Sequence, residues 1–446
     1  MTLGRPTVSG LKGYQGWRAL RHRNYRLFFG GQLTSLVGTW MMTVAQSWLV
    51  LTLTHNPFDL GVVSAVQFTP VLILGLFGGV IADSLPKRRT LVATQGFASI
   101  LSFVMFILVF TGSIQVWHVM VVAFLLGVRN AFDMPTRQAF AVEMVGKEDI
   151  SNAVALNSAM FNGARVIGPA VAGLVIGAFG VAPAFLIDAI SYLAVIGALL
   201  AMHEDTLHTR PGIARPQTIP AVFENLREGL VYVGKTKIVL LATVVIGLVS
   251  TFGMNFTVVI PPLTTTVLHS DATGYGFLMA ATGVGSVISA LTIAFSGKTT
   301  PLIIGLGAIT LGTAELIMAS SSSFGLALAC MFLAGVGGIG MAATANTVIQ
   351  LNVPDHLRGR VMSVYTTVFA GSTPIGGLVT GAVAASFGAA MALGLGGVAS
   401  LATGLGATAW LRGRPLRPAP AATMRPADRA RIAASTAIPP ETARTR

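Results

Sequence analysis

Long apolar runs separated by short polar gaps set the pattern of this chain. A bilayer-spanning helix needs about 20 predominantly apolar residues, and on that unit the pattern predicts twelve spans. Six fall in the first half, at roughly 27–53, 59–82, 90–111, 116–138, 151–178 and 182–202. Six fall in the second, at roughly 238–265, 274–296, 301–319, 324–351, 361–385 and 389–411. The fourth, fifth and tenth carry more polar residues than the others. Between the halves, residues 203–237 hold Pro211, Pro216 and Pro220. There Ile219, Val222, Phe223, Leu226, Leu230 and Val233 recur at helical spacing, which predicts an amphipathic helix lying at the membrane interface. The tail from residue 413, rich in Pro, Ala and Arg, is expected to be disordered. The first 26 residues are basic and polar, and the apolar stretch behind them is long enough to span the bilayer, unlike a cleavable signal peptide.

Composition agrees with a membrane protein. Of 446 residues 10% are charged, against about 25% in soluble globular proteins. A single cysteine, Cys330, excludes an intrachain disulfide and a cysteine-rich metal site. The net charge of +13 suggests nucleic acid until the basic residues are placed. They cluster in residues 1–26, at 87–89, at Arg137 and Lys147, in the linker, at Lys298, at Arg358 and Arg360, and in the stretch from Arg412 onward. The alternate loops near 54–58, 112–115, 179–181, 266–273, 320–323 and 386–388 contain no Lys or Arg. Basic residues concentrate on the cytoplasmic side of membranes. Both termini and the linker are therefore expected in the cytoplasm, with the chain multi-pass in the cell membrane and no nucleic-acid partner.

The two halves repeat. A shift of 208 residues brings Gly163, Gly168, Gly173, Phe179 and Gly180 onto Gly371, Gly376, Gly381, Phe387 and Gly388. A shift of 212 brings Leu36, Val37, Thr39 and Met42 onto Leu248, Val249, Thr251 and Met254. Parallel six-helix repeats with a site at their interface are the plan of a rocking secondary transporter. The expected fold class is an all-α membrane protein of twelve transmembrane helices in two pseudo-symmetric six-helix bundles, at 27–202 and 238–412. A basic N-terminus (1–26), a linker (203–237) and a basic tail (413–446) flank them.

The turn after the second span reads Gly79-Val-Ile-Ala-Asp83-Ser84-Leu-Pro86-Lys87-Arg88-Arg89. An Asp there can face the N-terminus of a neighbouring helix, where negative charge is favoured. This turn resembles the signature of the major facilitator superfamily, Gly-x-x-x-Asp-Arg-x-Gly-Arg-Arg, with Ser84 in place of the Arg and Pro86 in place of the Gly. Further segments resemble the enterobactin-exporter-like efflux branch. They are Asn24-Tyr-Arg-Leu-Phe-Phe with Gly31-Gln32, the run from Asn130 through Asp133 and Pro135 to Ala139, the run from Asn152 to Ser158, Arg165-Val-Ile-Gly168-Pro169, and the run from Leu357 to Val361. The resemblance covers about residues 17–412. It implies the twelve-helix fold, proton-driven efflux of a drug or siderophore-like molecule, and a central cavity lined by the first, fourth, seventh and tenth helices.

Charges inside the spans are costly and usually mark function. Arg129, Asp133 and Arg137 lie four residues apart on one helical face. Either they form a self-neutralising structural ladder, or Asp133 works as a cytoplasmic gate, exchanging between the two arginines and the basic turn of Asp83, Lys87 and Arg88. Arg165 shares a stripe with Ser158, Asn162 and Pro169. Either backbone carbonyls or Asn162 satisfy it, or it joins Arg129 as a positive surface for an anionic substrate group, which guanidinium suits. Asp188 and Glu315 are acids in the sixth and ninth spans. A buried carboxyl can cycle protonation, so they join Asp133 as proton-coupling candidates. The family fold puts their helices at the periphery, where a structural, hydrogen-bonded acid is the competing reading. Thr39, Thr43 and Gln46, in a polar stripe with Gln32 and Ser35, are cavity candidates, together with Asn255 and Asn346. Packing hydrogen bonds account for such residues equally well.

Other chemistry is absent. There is no phosphate-binding Gly-x-x-x-x-Gly-Lys-Ser/Thr loop, no zinc-like His pair and no nucleophile elbow. The sequence thus points to a monomeric secondary transporter, not an enzyme, without cofactor or metal. Its expected partners are the lipid bilayer, a small-molecule substrate and protons. An uptake symporter of the same fold is the first alternative, and a non-transporting membrane sensor or scaffold is an alternative of another class.

Overall fold

The structure is a computed structural model that describes residues 15–146, 148–208, 219–296 and 300–413, without the side chains of 15–16, 76–84, 206 and 219–223. The expected disorder of the tail beyond residue 413 lies outside the described residues. Among those described, every regular element is a helix. The first half folds as α1 (Arg23–Thr54), α2 (Pro57–Ser84), α3 (Lys87–Phe110), α4 (Val116–Val145), α5 (Ile150–Phe179) and α6 (Ala182–Leu200). The linker helix α7 (Ile219–Lys235) leads to α8 (Lys237–Phe252), α9 (Phe256–Thr266), α10 (Ala272–Ser296), α11 (Leu302–Ala319), α12 (Phe324–Asn352), α13 (Asp355–Phe387) and α14 (Ala389–Arg412). Among the described residues, twelve stretches are long and apolar enough to cross a membrane, α8 and α9 together making the seventh.

The repeat in sequence is a repeat of structure. Gly180 and Gly388, 208 residues apart, close α5 and α13 at positive φ of 79° and 89°, a conformation that a Cβ disfavours. The seventh span departs from its predicted single run. It breaks at Gly253–Asn255, and the Asn255 side-chain amide donates to the Thr251 carbonyl at 2.7 Å. In an unbroken helix that carbonyl would receive the Asn255 backbone N–H, so the side chain replaces the bond that the break removes.

Each bundle packs its own six crossings, and the bundles meet along α2 with α13 and along α5 with α10. Both seams are tight at the end away from the linker, here the far end. A Cβ at Gly61 would strike the Gly377 carbonyl, and one at Gly276 would lie 2.5 Å from the Pro169 carbonyl. The Thr273 hydroxyl donates to the Gly173 carbonyl at 3.3 Å, and Trp48 of α1 stacks on Tyr275 of α10 with ring centroids 6.1 Å apart. Small residues let membrane helices approach closely enough for such packing.

At the linker end, α7 lies against α13 and α8. Glu228 pairs with Arg360, the Tyr232 hydroxyl donates to the Asn352 carbonyl at 2.9 Å, and Val233 is buried. Leu230 is half exposed, so the apolar stripe is shared between protein and surroundings. Ahead of α1, a short 3-10 turn (Gln15–Arg21) docks on the start of α5. There the Ala19 N–H bonds Asn152 Oδ1 at 2.9 Å, and Arg18 and His22 both reach Asp149.

Candidate functional site

With the far end shut, the bundles part toward the linker end around a cavity of about 630 Å³. Its walls come from the last turns of α4, the first half of α5 and the last turns of α12. Gln138, Asn157, Asn162, Asn346 and Gln350 bring five side-chain amides to it, and Ser158 a hydroxyl, with Val142, Val154 and Phe161 among the apolar neighbours. No charged residue lines it among the described residues. Asn346 was expected there from the sequence. Gln138 and Asn157 were not singled out, although both lie in the segments that carried the family likeness. Their signal is that α4 and α5 keep helical spacing while turning polar toward the linker end.

Deeper along α5, Arg165 follows Ser158 and Asn162 on one helical face. Its guanidinium lies over the Trp40 ring, 5.6 Å from the centroid, and Trp40 meets Phe161 edge-on at 5.7 Å. No carboxylate pairs with Arg165 among the described residues. Pro169 has no N–H to offer the Arg165 carbonyl, which instead faces Gly283 of α10.

The charge ladder of α4 lies inside the first bundle. Asp133 is fully buried and pairs with Arg137 and, at 3.3 Å, with Arg129. Thr94 and Gln95 of α3 each donate to its Oδ1 at 2.8 Å. Arg129 also donates to the Thr94 carbonyl at 3.3 Å and to Asn130 Oδ1 at 2.9 Å, and its guanidinium lies 5.5 Å from the Tyr192 ring centroid. Arg129 and Arg165 rest on different aromatic rings, Tyr192 and Trp40. The basic turn does not meet Asp133. Lys87 pairs with Glu143 at 2.7 Å, and Arg88 holds Glu204 and the carbonyls of Leu199 and Leu200. The side chain of Asp83 lies outside the described residues.

The remaining candidates are placed by their own bundles. The Thr39 hydroxyl is 3.3 Å from the Tyr192 hydroxyl, Thr43 donates to the Thr39 carbonyl at 3.0 Å, and Gln46 donates to Gln67 of α2 at 3.3 Å. Thr39 and Gln46 thus tie α1 to α6 and α2, Thr43 bonds within α1, and none of the three is among the residues lining this cavity. Asn255 is buried at the break in the seventh span. Asp188 and Glu315 face inward rather than to the periphery, with 0% and 2% of their surface exposed. Ser102 donates to Asp188 at 2.6 Å, and Ser400 donates to Glu315 at 3.5 Å.

A model of the transmembrane secretion effector family matches residues 14–432, nearly the whole of this architecture. The chain belongs to that family of major facilitator transporters. It is 25% identical to the staphyloferrin A transporter of Staphylococcus aureus over 392 residues, covering 84% of this chain and 93% of that one. It is 27% identical to the multidrug efflux pump Tap of Mycolicibacterium fortuitum over 365 residues, 79% of this chain and 87% of that one. Among solved structures, the nucleoside transporter NupG superimposes with a TM-score of 0.71 at 12% identity, over 88% of this chain and 99% of that one. That likeness establishes the fold. The protein is a multi-pass membrane transporter of a small molecule and not an enzyme.

Proposed function

We propose that the protein exports small amphipathic molecules, of a drug or siderophore-like kind, by alternating access coupled to proton entry. The cavity carries this reading. It is bounded by both bundles, joins an amide wall to apolar surface, and opens at the linker end while the far end is packed shut. The linker end is also the basic end, which supports a cytoplasmic position for it and for both termini. A molecule leaving the cell would enter a cavity facing that way. Arg165, over the Trp40 ring one turn beyond the amide wall, supplies a pole for an anionic substrate group. The relatives whose names specify a multidrug efflux pump and a staphyloferrin A transporter support the same class of cargo.

The Asp133 ladder serves as the gate of the first bundle, and buried carboxyls carry the protons. Protons and substrate drive the exchange only through their different affinities for the two states. Everted membrane vesicles acidified inside test the whole reading. Amphipathic probes should enter vesicles that contain the protein, and an uncoupler should abolish the accumulation. Accumulation in intact cells, driven inward with protons, would instead make the protein an uptake symporter.

A further inference from the structure

Asp188 and Glu315 sit in different bundles and on non-equivalent helices, yet their surroundings match. Asp188 on α6 accepts from Ser102 on α3, and its Oδ1 has no hydrogen-bond partner. Glu315 on α11 accepts from Ser400 on α14, and its Oε1 has no partner either. The shift of 212 that aligns the first crossings carries Asp188 onto Ser400 and Ser102 onto Ala314, the residue before Glu315. Both pairs therefore link the third and sixth crossings of their bundle at the same place, with acid and serine exchanged.

Each carboxyl also faces a glycine of its bundle's first crossing. A Cβ on Gly38 would lie 2.9 Å from Asp188 Oδ1, and one on Gly253 would lie 3.3 Å from Glu315 Oε2. Gly253 is where the seventh span breaks. The neighbouring charges differ. Around Asp188, α1 offers Gly38, α3 offers Ser102, α6 offers Ser191 and Tyr192, and Arg129 of α4 is close enough to act on it. Around Glu315, α12 contains no charged residue, and Lys237 of α8 and Arg412 of α14 stand at the linker-side ends of their helices.

A buried polar atom without a partner is costly, and far more so when charged. One donor and one bare oxygen suit a neutral carboxylic acid. The ionised form needs donors that this state does not present, and the element that sets bare backbone against each carboxyl is the first crossing at its glycine. We propose that Asp188 and Glu315 are two equivalent proton-binding sites, one behind the first crossing of each bundle, and that each releases its proton when that crossing moves at Gly38 or Gly253. This rests on the proton-coupled reading above and deepens it. The protons bind outside the substrate cavity, and Asp133, with its full set of partners, holds the gate without carrying them.

The test is infrared difference spectroscopy of the purified full-length protein in lipid nanodiscs, without substrate, titrated from mildly acidic to mildly alkaline pH. Two protonated-carboxyl bands are expected to titrate. Glu315→Gln should remove one and Asp188→Asn the other, both near-isosteric changes. Glu315→Ser should lose the same band as Glu315→Gln, and adding Ser400→Asp should return a titrating band, because the pair, not the helix, makes the site. Bands untouched by the Gln and Asn variants, or bands that never change with pH, would overturn the proposal. No substrate is present, so titrating bands together with failed export in vesicles would sink the export reading alone. Export without such bands would sink this one alone.

Discussion

Asp133 shows how few side chains define a buried ionic site. Two guanidiniums, a hydroxyl and an amide converge on one carboxylate with no exposed surface. Removing one partner of a buried pair leaves the rest uncompensated and costs roughly 3–5 kcal/mol. Asp133→Asn should therefore insert into the membrane at near-normal levels, melt at a clearly lower temperature and lose transport; normal flux in that variant would remove the gate. The ladder was legible in the sequence because i,i+4 spacing follows from helix geometry alone. Its cross-helix partners Thr94 and Gln95 were not legible, since nothing local marks which face of α3 meets α4. The polar stripe of α1 admits two readings for the same reason. Thr39 and Gln46 have the periodicity of a wetted wall, and each also meets a neighbouring helix, at Tyr192 and Gln67.

At the scale of elements, hydropathy marks what enters the bilayer and is silent on continuity within it. All twelve crossings were readable as apolar runs, whereas the break at Gly253–Asn255 was hidden by apolar residues on both sides. The break persists because the Asn255 amide occupies the Thr251 carbonyl. Asn255→Ala leaves that carbonyl unsatisfied, at a cost of about 1–3 kcal/mol. The variant should melt earlier in thermal unfolding and transport more slowly. Unchanged stability would mean that the break is held by packing against Gly376 and α14 instead. The docked turn ahead of α1 was equally illegible, because its contacts to Asp149 and Asn152 span more than 120 residues of sequence.

For the whole molecule, the state is set by which end of the two seams is closed. Repeats at offsets near 208 and 212 and the alternation of basic loops gave the parallel bundles from sequence, because both follow from duplication and membrane orientation. Neither indicates the conformational state, which depends on contacts such as Thr273 with Gly173 and Trp48 with Tyr275. Alternating access requires those contacts to separate in every cycle. A Cβ placed on Gly177 would stand 3.6 Å from the Thr273 Cβ, within the range of about 3.5–4.5 Å that a disulfide accepts. With Cys330→Ala removing the single native thiol, the pair Gly177→Cys and Thr273→Cys should cross-link under mild oxidation and fasten α5 to α10 at the far end. Transport should stop on oxidation and return on reduction, while cysteine reagents still reach a label placed at Asn346 in the cavity. If the oxidised protein transports as fast as the reduced one, the far-end seam does not open during the cycle, and the rocking of the two bundles is not how this protein moves its cargo.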